Sequence, residues 1–456
     1  MSRSNYDQKY LRLRRKHPLF YYQSFQYHFK GNEFFIDFHF SLGENIHFYP
    51  NHVIKLPTHL NWGNLDEKEL DQLVFHLGMV ELISYWKATC SPQVIVRPFQ
   101  LNKAQILWWK KLYFEGLGEF FYLNTIETNL SDFMELKSES ENVIRLFNTN
   151  MHDDHIMIPV GGGKDSIVSI EVLKKFHNSI IPMVVNSRGA SKDTIINAGF
   201  QLEESILTKR SIDPQLIELN KQGYLNGHTP FSAMLAFLTL LTSRLMGIKY
   251  IALSNESSAN ESTVEGTNIN HQYSKSYEFE SDFREYYQKY LTNSSDYFSF
   301  LRPLSEIQIA CLFSKFKHHH ASFRSCNAGS KENIWCGKCS KCLFTYVLLS
   351  PFISPAKLES IFGKNLLNDL DLKPILKELR GLAETKPFEC VGTVSEVELA
   401  LTQAKDGFFK NVLLESIVKE DNNNKLQEAM KEWNDENSLP KKFEIVLKDF
   451  LERCWN

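Results

Sequence analysis

Two short stretches of this chain place residues at spacings that suit chemistry. The first is "PVGGGKDS", Pro159 to Ser166. An apolar, strand-like run enters three glycines, Gly161, Gly162 and Gly163, and a helix-like run leaves from Lys164, Asp165 and Ser166. Glycine admits positive φ and lets the backbone approach a ligand closely. A helix that starts at once offers unpaired N–H groups and a partial positive charge, so the pair makes a phosphate cradle. Lys164 can neutralise phosphate, Asp165 can position Mg²⁺ or a hydroxyl, and Ser166 can cap the helix and donate. The plainer alternative is a tight turn whose small residues merely let strand and helix pack. The second stretch, "SCNAGSKENIWCGKCSKC", holds Cys326, Cys336, Cys339 and Cys342 in the pattern C-x9-C-x2-C-x2-C. Four soft ligands on short spacers suit tetrahedral Zn²⁺, and four thiolates leave no open position, so such a zinc is structural. Iron–sulfur ligation competes.

These residues need elements to hold them. From residue 155, strand-like runs at 155–160, 180–186, 204–208 and 249–254 alternate with helical stretches. That alternation predicts an α/β fold, a parallel sheet with helices on both faces. Ligands of such sheets sit at the carboxyl ends of the strands. The loops after Val160, Val185, Leu207 and Leu253 should line the site, which brings in Asn186. Upstream, Phe34, Ile36, Phe38 and Phe40 of "FFIDFHF" share one face, with Asp37 and His39 on the other. Residues 20–56 therefore read as an antiparallel meander with a hairpin turn at "KGNE". Helices are expected over 66–87 and 101–116, an extended run at "GLGEFFYLN" (Gly116 to Asn124), and a polar linker over 125–148. After Pro355 the chain reads mostly as helices.

Composition narrows the classes. With 456 residues and 43% hydrophobic content the chain can bury two or three cores. A net charge of −3 gives no global footprint for nucleic acid. The basic N-terminus lacks an apolar run of signal-peptide type, and the longest apolar segment, Ala233 to Leu241, is too short to span a bilayer. Eight cysteines without an export signal point to a reducing compartment. A cytoplasmic protein with no membrane and no nucleic-acid partner is expected. Cys90, Cys311, Cys390 and Cys454 are unclustered and read as small buried hydrophobes. His318, His319 and His320 read as a solvated run.

The glycine turn does not fit the P-loop G-x-x-x-x-G-K-[ST], because Asp165 follows the lysine. Nor does it fit G-x-G-x-x-G, which would put glycine at Ser166. It resembles the PP-loop, S-G-G-x-D-S, of the ATP pyrophosphatase superfamily. Those enzymes bind ATP on a Rossmann-like sheet of the HUP type, transfer AMP to a substrate oxygen and release pyrophosphate. Further stretches narrow the resemblance: "HLGMVELISYWKATC", "GLGEFFYLN", "GHTPFSA", "SNESSANES" (Ser254 to Ser262), "NHQYSKSYEFE", "WCGKCSKC" and "KPFECVGT". Together with "PVGGGKDS" they are similar to the MurL family of UDP-N-acetyl-α-D-muramoyl-L-alanyl-L-glutamate epimerases, over roughly residues 20–400.

That resemblance implies an N-terminal α+β domain at 1–148, a PP-loop ATP-binding domain with the cysteine cluster at 149–354, and a C-terminal helical region at 355–456. It implies ATP, Mg²⁺ and structural Zn²⁺ as cofactors and UDP-MurNAc-L-Ala-L-Glu as substrate, with functional coupling to the L-Glu-adding Mur ligase. The terminal L-Glu would be inverted to D-Glu with release of AMP and pyrophosphate, serving cell-wall biogenesis, cell shape and division. Gly161, Gly162, Gly163, Lys164, Asp165, Ser166 and Asn186 would hold the nucleotide. Proton-transfer candidates on the loops are His228, His271, Lys275 and Glu256, each with substrate binding as its alternative. Cys390 is an outside candidate, as a thiol. Two rivals stay open here: another PP-loop enzyme that amidates or thiolates a nucleobase or tRNA, and a non-catalytic ATP or AMP sensor.

Overall fold

The computed structural model describes residues 3–60, 65–148, 151–176, 179–260, 270–415, 417 and 424–455, without the side chains of 3–7, 152–154, 454 and 455. The Cys454 side chain and the end of "SNESSANES" lie outside the described residues. The strands, in chain order, are β1 (Leu19–Lys30), β2 (Glu33–Leu42), β3 (Ile46–Phe48), β4 (Asn51–Lys55), β5 (Gln93–Val96), β6 (Glu135–Ser138), β7 (His152–Pro159), β8 (Ile180–Val185), β9 (Ile206–Ser211), β10 (Ile248–Leu253) and β11 (Asp296–Ser299). The fold is mixed α/β, with parallel and antiparallel strand pairing.

The chain divides into two compact units that interleave along the sequence. One comprises 1–153, 206–251 and 273–297; the other comprises 154–205, 252–272 and 298–456. In the first, the expected meander is present. β2 pairs antiparallel with β1, β3 and β4, and Lys30 faces Glu33 across the turn. Phe34, Ile36, Phe38 and Phe40 are buried while Asp37 and His39 are half-buried, as alternation requires. β5 joins β1 in parallel, and β6 joins β5. The expected helices occupy Glu67–Trp86, capped by Asp66, and Lys103–Gly116, capped by Asn102.

Two expectations fail in this unit, and the third strand-like run is a strand with an added neighbour. "GLGEFFYLN" is not extended: Gly118–Leu123 is a short helix. Glu119, Phe120 and Phe121 are buried consecutively and Tyr122 and Leu123 exposed, a one-sided pattern that suits a helical turn better than alternation. The stretch 125–148 is not a free linker. It contains β6, and Phe133, Met134 and Leu136 are buried beneath its polar composition. β9 pairs antiparallel with β4, from Asn51 opposite Ser211 to Lys55 opposite Leu207. The third strand-like run thus shares a compact unit with the meander.

In the second unit β7 and β8 are parallel neighbours, Ile156 opposite Ile180 through Pro159 opposite Met183. Helix Lys164–Leu173 leaves β7 and packs against helix Glu306–Lys315. Beyond Pro355 the chain is mostly helical, ending in Lys441–Trp455. Among the described residues no helix is long and apolar enough to cross a membrane.

Candidate active site

The glycine turn joins β7 to helix Lys164–Leu173 with Gly163 as the residue before the helix. Gly162 has φ +85°, and a Cβ there would lie 2.6 Å from the Ala190 and Ser191 backbone, so this position admits only glycine. Its carbonyl accepts from Arg324 N–H at 2.9 Å. A Cβ on Gly163 would lie 2.8 Å from Ser325 Oγ. At Gly161, by contrast, an added Cβ meets nothing within 4 Å. The turn is closed on one side and open on the other, as a backbone cradle must be. Ser166 Oγ accepts from Gly162 N–H at 3.3 Å and donates to the Gly163 carbonyl at 3.1 Å, so it braces the turn rather than capping the helix. Asn186, immediately after β8, has φ +49° and is exposed. Asparagine tolerates this left-handed conformation better than most residues, and such backbone clusters at ligand sites.

Lys164 is buried, and its ammonium bonds Asp165 Oδ1 at 2.5 Å and also Glu306 Oε2. Sequence reasoning passed over Glu306. It begins helix Glu306–Lys315 after the Ser305 cap, and an acid in a first helical turn is unremarkable by itself. Its N–H donates to Glu396 Oε1 at 2.6 Å. Glu396 in turn accepts from Thr393 N–H at 2.7 Å and Thr393 Oγ1 at 2.8 Å. Glu256 is buried in the same unit, and its carbonyl accepts from Arg302 Nη1 at 2.6 Å. Burial raises the Glu306 carboxyl well above the usual carboxylate range; Lys164 draws it down, while Asp165, Glu256 and Glu396 push it up. Burial likewise raises Glu396. Lys164 goes up, because Asp165 and Glu306 outweigh its burial.

The cysteine quartet begins one residue beyond Ser325. Cys326 and Cys339 Sγ are 3.8 Å apart, Cys336 and Cys342 3.7 Å, and Cys339 and Cys342 3.5 Å. A tetrahedral ion with Zn–S bonds of about 2.3 Å needs sulfurs about 3.8 Å apart, so the donors fit a single ion. The loop between Cys326 and Cys336 reaches the start of the next helix: Ser330 bonds Arg188, and Asn333 lies against Gly189. The quartet thus lies between Arg324 and Ser325, which meet the glycine turn, and a loop that presses on the segment after β8.

The remaining candidates fall in both units. In the first unit, His228 precedes helix Phe231–Met246, and its Nδ1 lies 3.8 Å from Glu119 Oε2. The neighbouring Gly227 carbonyl accepts from Lys87 Nζ at 2.5 Å. Burial and then Arg210 lower the Lys87 ammonium to about 8, against the pull of Glu81. Lys87 belongs to "SYWKATC" but was not singled out, because nothing in the local sequence announces its burial. Lys275 ends the short turn Tyr273–Lys275 and is half-buried; His271, in the other unit, is half-buried as well. Cys390 is half-buried; Cys90 and Cys311 are buried as expected.

The His318–His320 run is not solvated: His318 is exposed, but His319 and His320 are buried. Glu171 Oε1 accepts from His318 Nε2 at 3.2 Å, His319 Nε2 at 3.0 Å and Lys174 Nζ at 2.6 Å. The buried acid supplies the partner that pulls the ring in. Although burial would raise it, these three partners hold Glu171 at about 2.

Comparison with known proteins gives a consistent picture. The family profile "MurL N-terminal domain" matches residues 12–300, and "MurL C-terminal domain" matches residues 321–433. Three curated relatives are each named UDP-N-acetyl-alpha-D-muramoyl-L-alanyl-L-glutamate epimerase. That of Xanthomonas oryzae pv. oryzae is 32% identical over 347 residues, 74% of this chain and 76% of the relative. That of Salinispora tropica is 34% identical, over 72% and 71% respectively. That of a Micromonospora species is 35% identical, over 72% and 73%. No solved structure matches.

Proposed function

The chain belongs to the MurL family, and from that premise we propose how it performs its reaction. It is an epimerase of peptidoglycan synthesis acting on the UDP-muramoyl dipeptide, UDP-MurNAc-L-Ala-L-Glu. A hydrogen α to an ionised carboxylate is very weakly acidic, because removing it piles a second negative charge onto the same group. Transfer of AMP to that carboxylate cancels its charge and lets the carbonyl accept electron density. A base then takes the proton, a proton returns on the other face, and water cleaves the ester.

The single observation that carries ATP use is the glycine turn: shut against backbone at Gly162, open at Gly161, with the Lys164 ammonium beside it. ATP with Mg²⁺ is the second substrate on this reading, held by Gly161 to Ser166 and Asn186 in a PP-loop site, and AMP and pyrophosphate are its products. Zn²⁺ in the cysteine quartet is a structural ion, and Cys326 holds Arg324 and Ser325 against the turn. His228, His271, Lys275 and Glu256 are the candidates for proton transfer and substrate binding. A nucleotide-linked precursor places the reaction in the cytoplasm, with a Mur ligase that adds L-Glu supplying the substrate.

Gly161→Val tests the cradle. A Cβ at this position meets nothing within 4 Å, so the fold should persist while pyrophosphate release falls at least about 10²-fold. Undiminished pyrophosphate release by this variant would remove the turn from the nucleotide site.

A further inference from the structure

We propose that Glu306 accepts the Cα proton on one face of the activated substrate, and that nucleotide binding frees it to do so. The inference rests on the adenylation reading above. Glu306 is buried, and the partner its carboxylate shows is the ammonium of Lys164, which it shares with Asp165. One ammonium thus serves two carboxylates. Glu396, another acid of this cluster, is committed elsewhere: the Glu306 N–H and two Thr393 donors fix its oxygens. It cannot swing in to compensate, and being an acid it supplies no cation.

When a triphosphate draws Lys164 away, Glu306 remains buried among Asp165, Glu256 and Glu396 without its counter-charge. A buried carboxylate in that state binds a proton strongly. The adenylated substrate carries one nearby, because its Cα is one bond beyond the carbonyl carbon that bears the phosphate ester. The step balances as follows. The Cα–H bond breaks and an O–H bond forms on Glu306. The released electron pair forms the enolate, with its charge on the carbonyl oxygen. Reprotonation from the opposite face draws on solvent, and water hydrolyses the ester to AMP and the inverted carboxylate. Glu306 returns its proton to solvent when pyrophosphate leaves and Lys164 comes back.

The test follows a single turnover of the full chain in D₂O with ATP, Mg²⁺ and UDP-MurNAc-L-Ala-L-Glu, for the parent, Glu306→Gln and Glu306→Asp. Expected for Glu306→Gln is a pyrophosphate burst within about tenfold of the parent, with inversion and Cα deuteration slowed by about 10²–10⁴-fold. Glu306→Asp, which keeps the charge but shortens its reach, should fall between the two. If Glu306→Gln slows pyrophosphate and inversion equally with its near-ultraviolet circular dichroism intact, Glu306 only positions Lys164 and the proposal is overturned. Retained inversion overturns it as well. Should Glu306→Gln not fold, Glu306→Asp decides: inversion slowed more than the burst supports the proposal, and equal slowing refutes it. A parent without a burst would instead refute adenylation itself.

Discussion

Glu81 in the first compact unit and Glu306 in the second are both fully buried acids that meet a cation, and they behave in opposite ways. Glu81 faces a two-pronged Arg210 at 2.8 and 2.7 Å and His52 at 3.3 Å. Burial would raise it, but Arg210 and His52 hold it at about 2. Glu306 shares one Lys164 with Asp165, has Glu256 and Glu396 adding to its burden, and moves up. A charge cluster balanced by its own residues is scaffolding. One that is short of positive charge is completed by what the reaction brings, a metal ion or a proton.

That contrast can be broken by substitution. Arg210→Ala leaves Glu81 buried with His52 but without its guanidinium and should cost about 3–5 kcal/mol of stability in urea unfolding. Lys164→Met should do the reverse. Pyrophosphate release should fall by about 10²–10³-fold, while stability changes by less than about 1 kcal/mol, since acids with raised proton affinity can neutralise themselves. A large stability loss at Lys164 would make the two clusters alike.

Acid sharpens the same difference. The Glu81 carboxyl is lower in the fold than its ordinary value of 4.5, so its stabilisation is present above about pH 4.5 and is lost as pH falls toward about 2. The loss is about 3 kcal/mol, and Glu81→Gln should flatten this limb of an acid titration. Gly162→Ala should destabilise by more than the about 1–2 kcal/mol that positive φ costs, because the 2.6 Å approach is to backbone, and should weaken ATP-dependent pyrophosphate release. Gly161→Ala, facing open space, should leave stability unchanged.

What could be read from sequence follows the range of the interaction involved. Phe34 to Phe40 alternate because one face of a strand is buried, and that is a local pattern. Gly161 to Ser166 and the cysteine spacing are local as well: the first forms a turn from strand to helix, and the second brings sulfurs to within 3.8 Å of one another. Glu306 and Glu396 could not be found this way. Each lies in the first turn of a helix behind a Ser or Thr cap, in Ser305–Gln308 and Thr393–Glu396, and reads as ordinary capping. Their meeting joins positions 90 residues apart. His319 was misread for the same reason, since its partner Glu171 is 148 positions away. β6 was hidden because a four-residue strand in polar sequence declares itself only through its neighbour β5.

The most direct test of the central claim is one incubation of the parent protein in D₂O with ATP, Mg²⁺ and UDP-MurNAc-L-Ala-L-Glu, reading pyrophosphate, AMP and the chirality and Cα label of the glutamate. The account predicts pyrophosphate and AMP formed only with the dipeptide present, and D-Glu deuterated at Cα. Inversion that proceeds without ATP, or ATP cleavage that leaves L-Glu unlabelled, would contradict it.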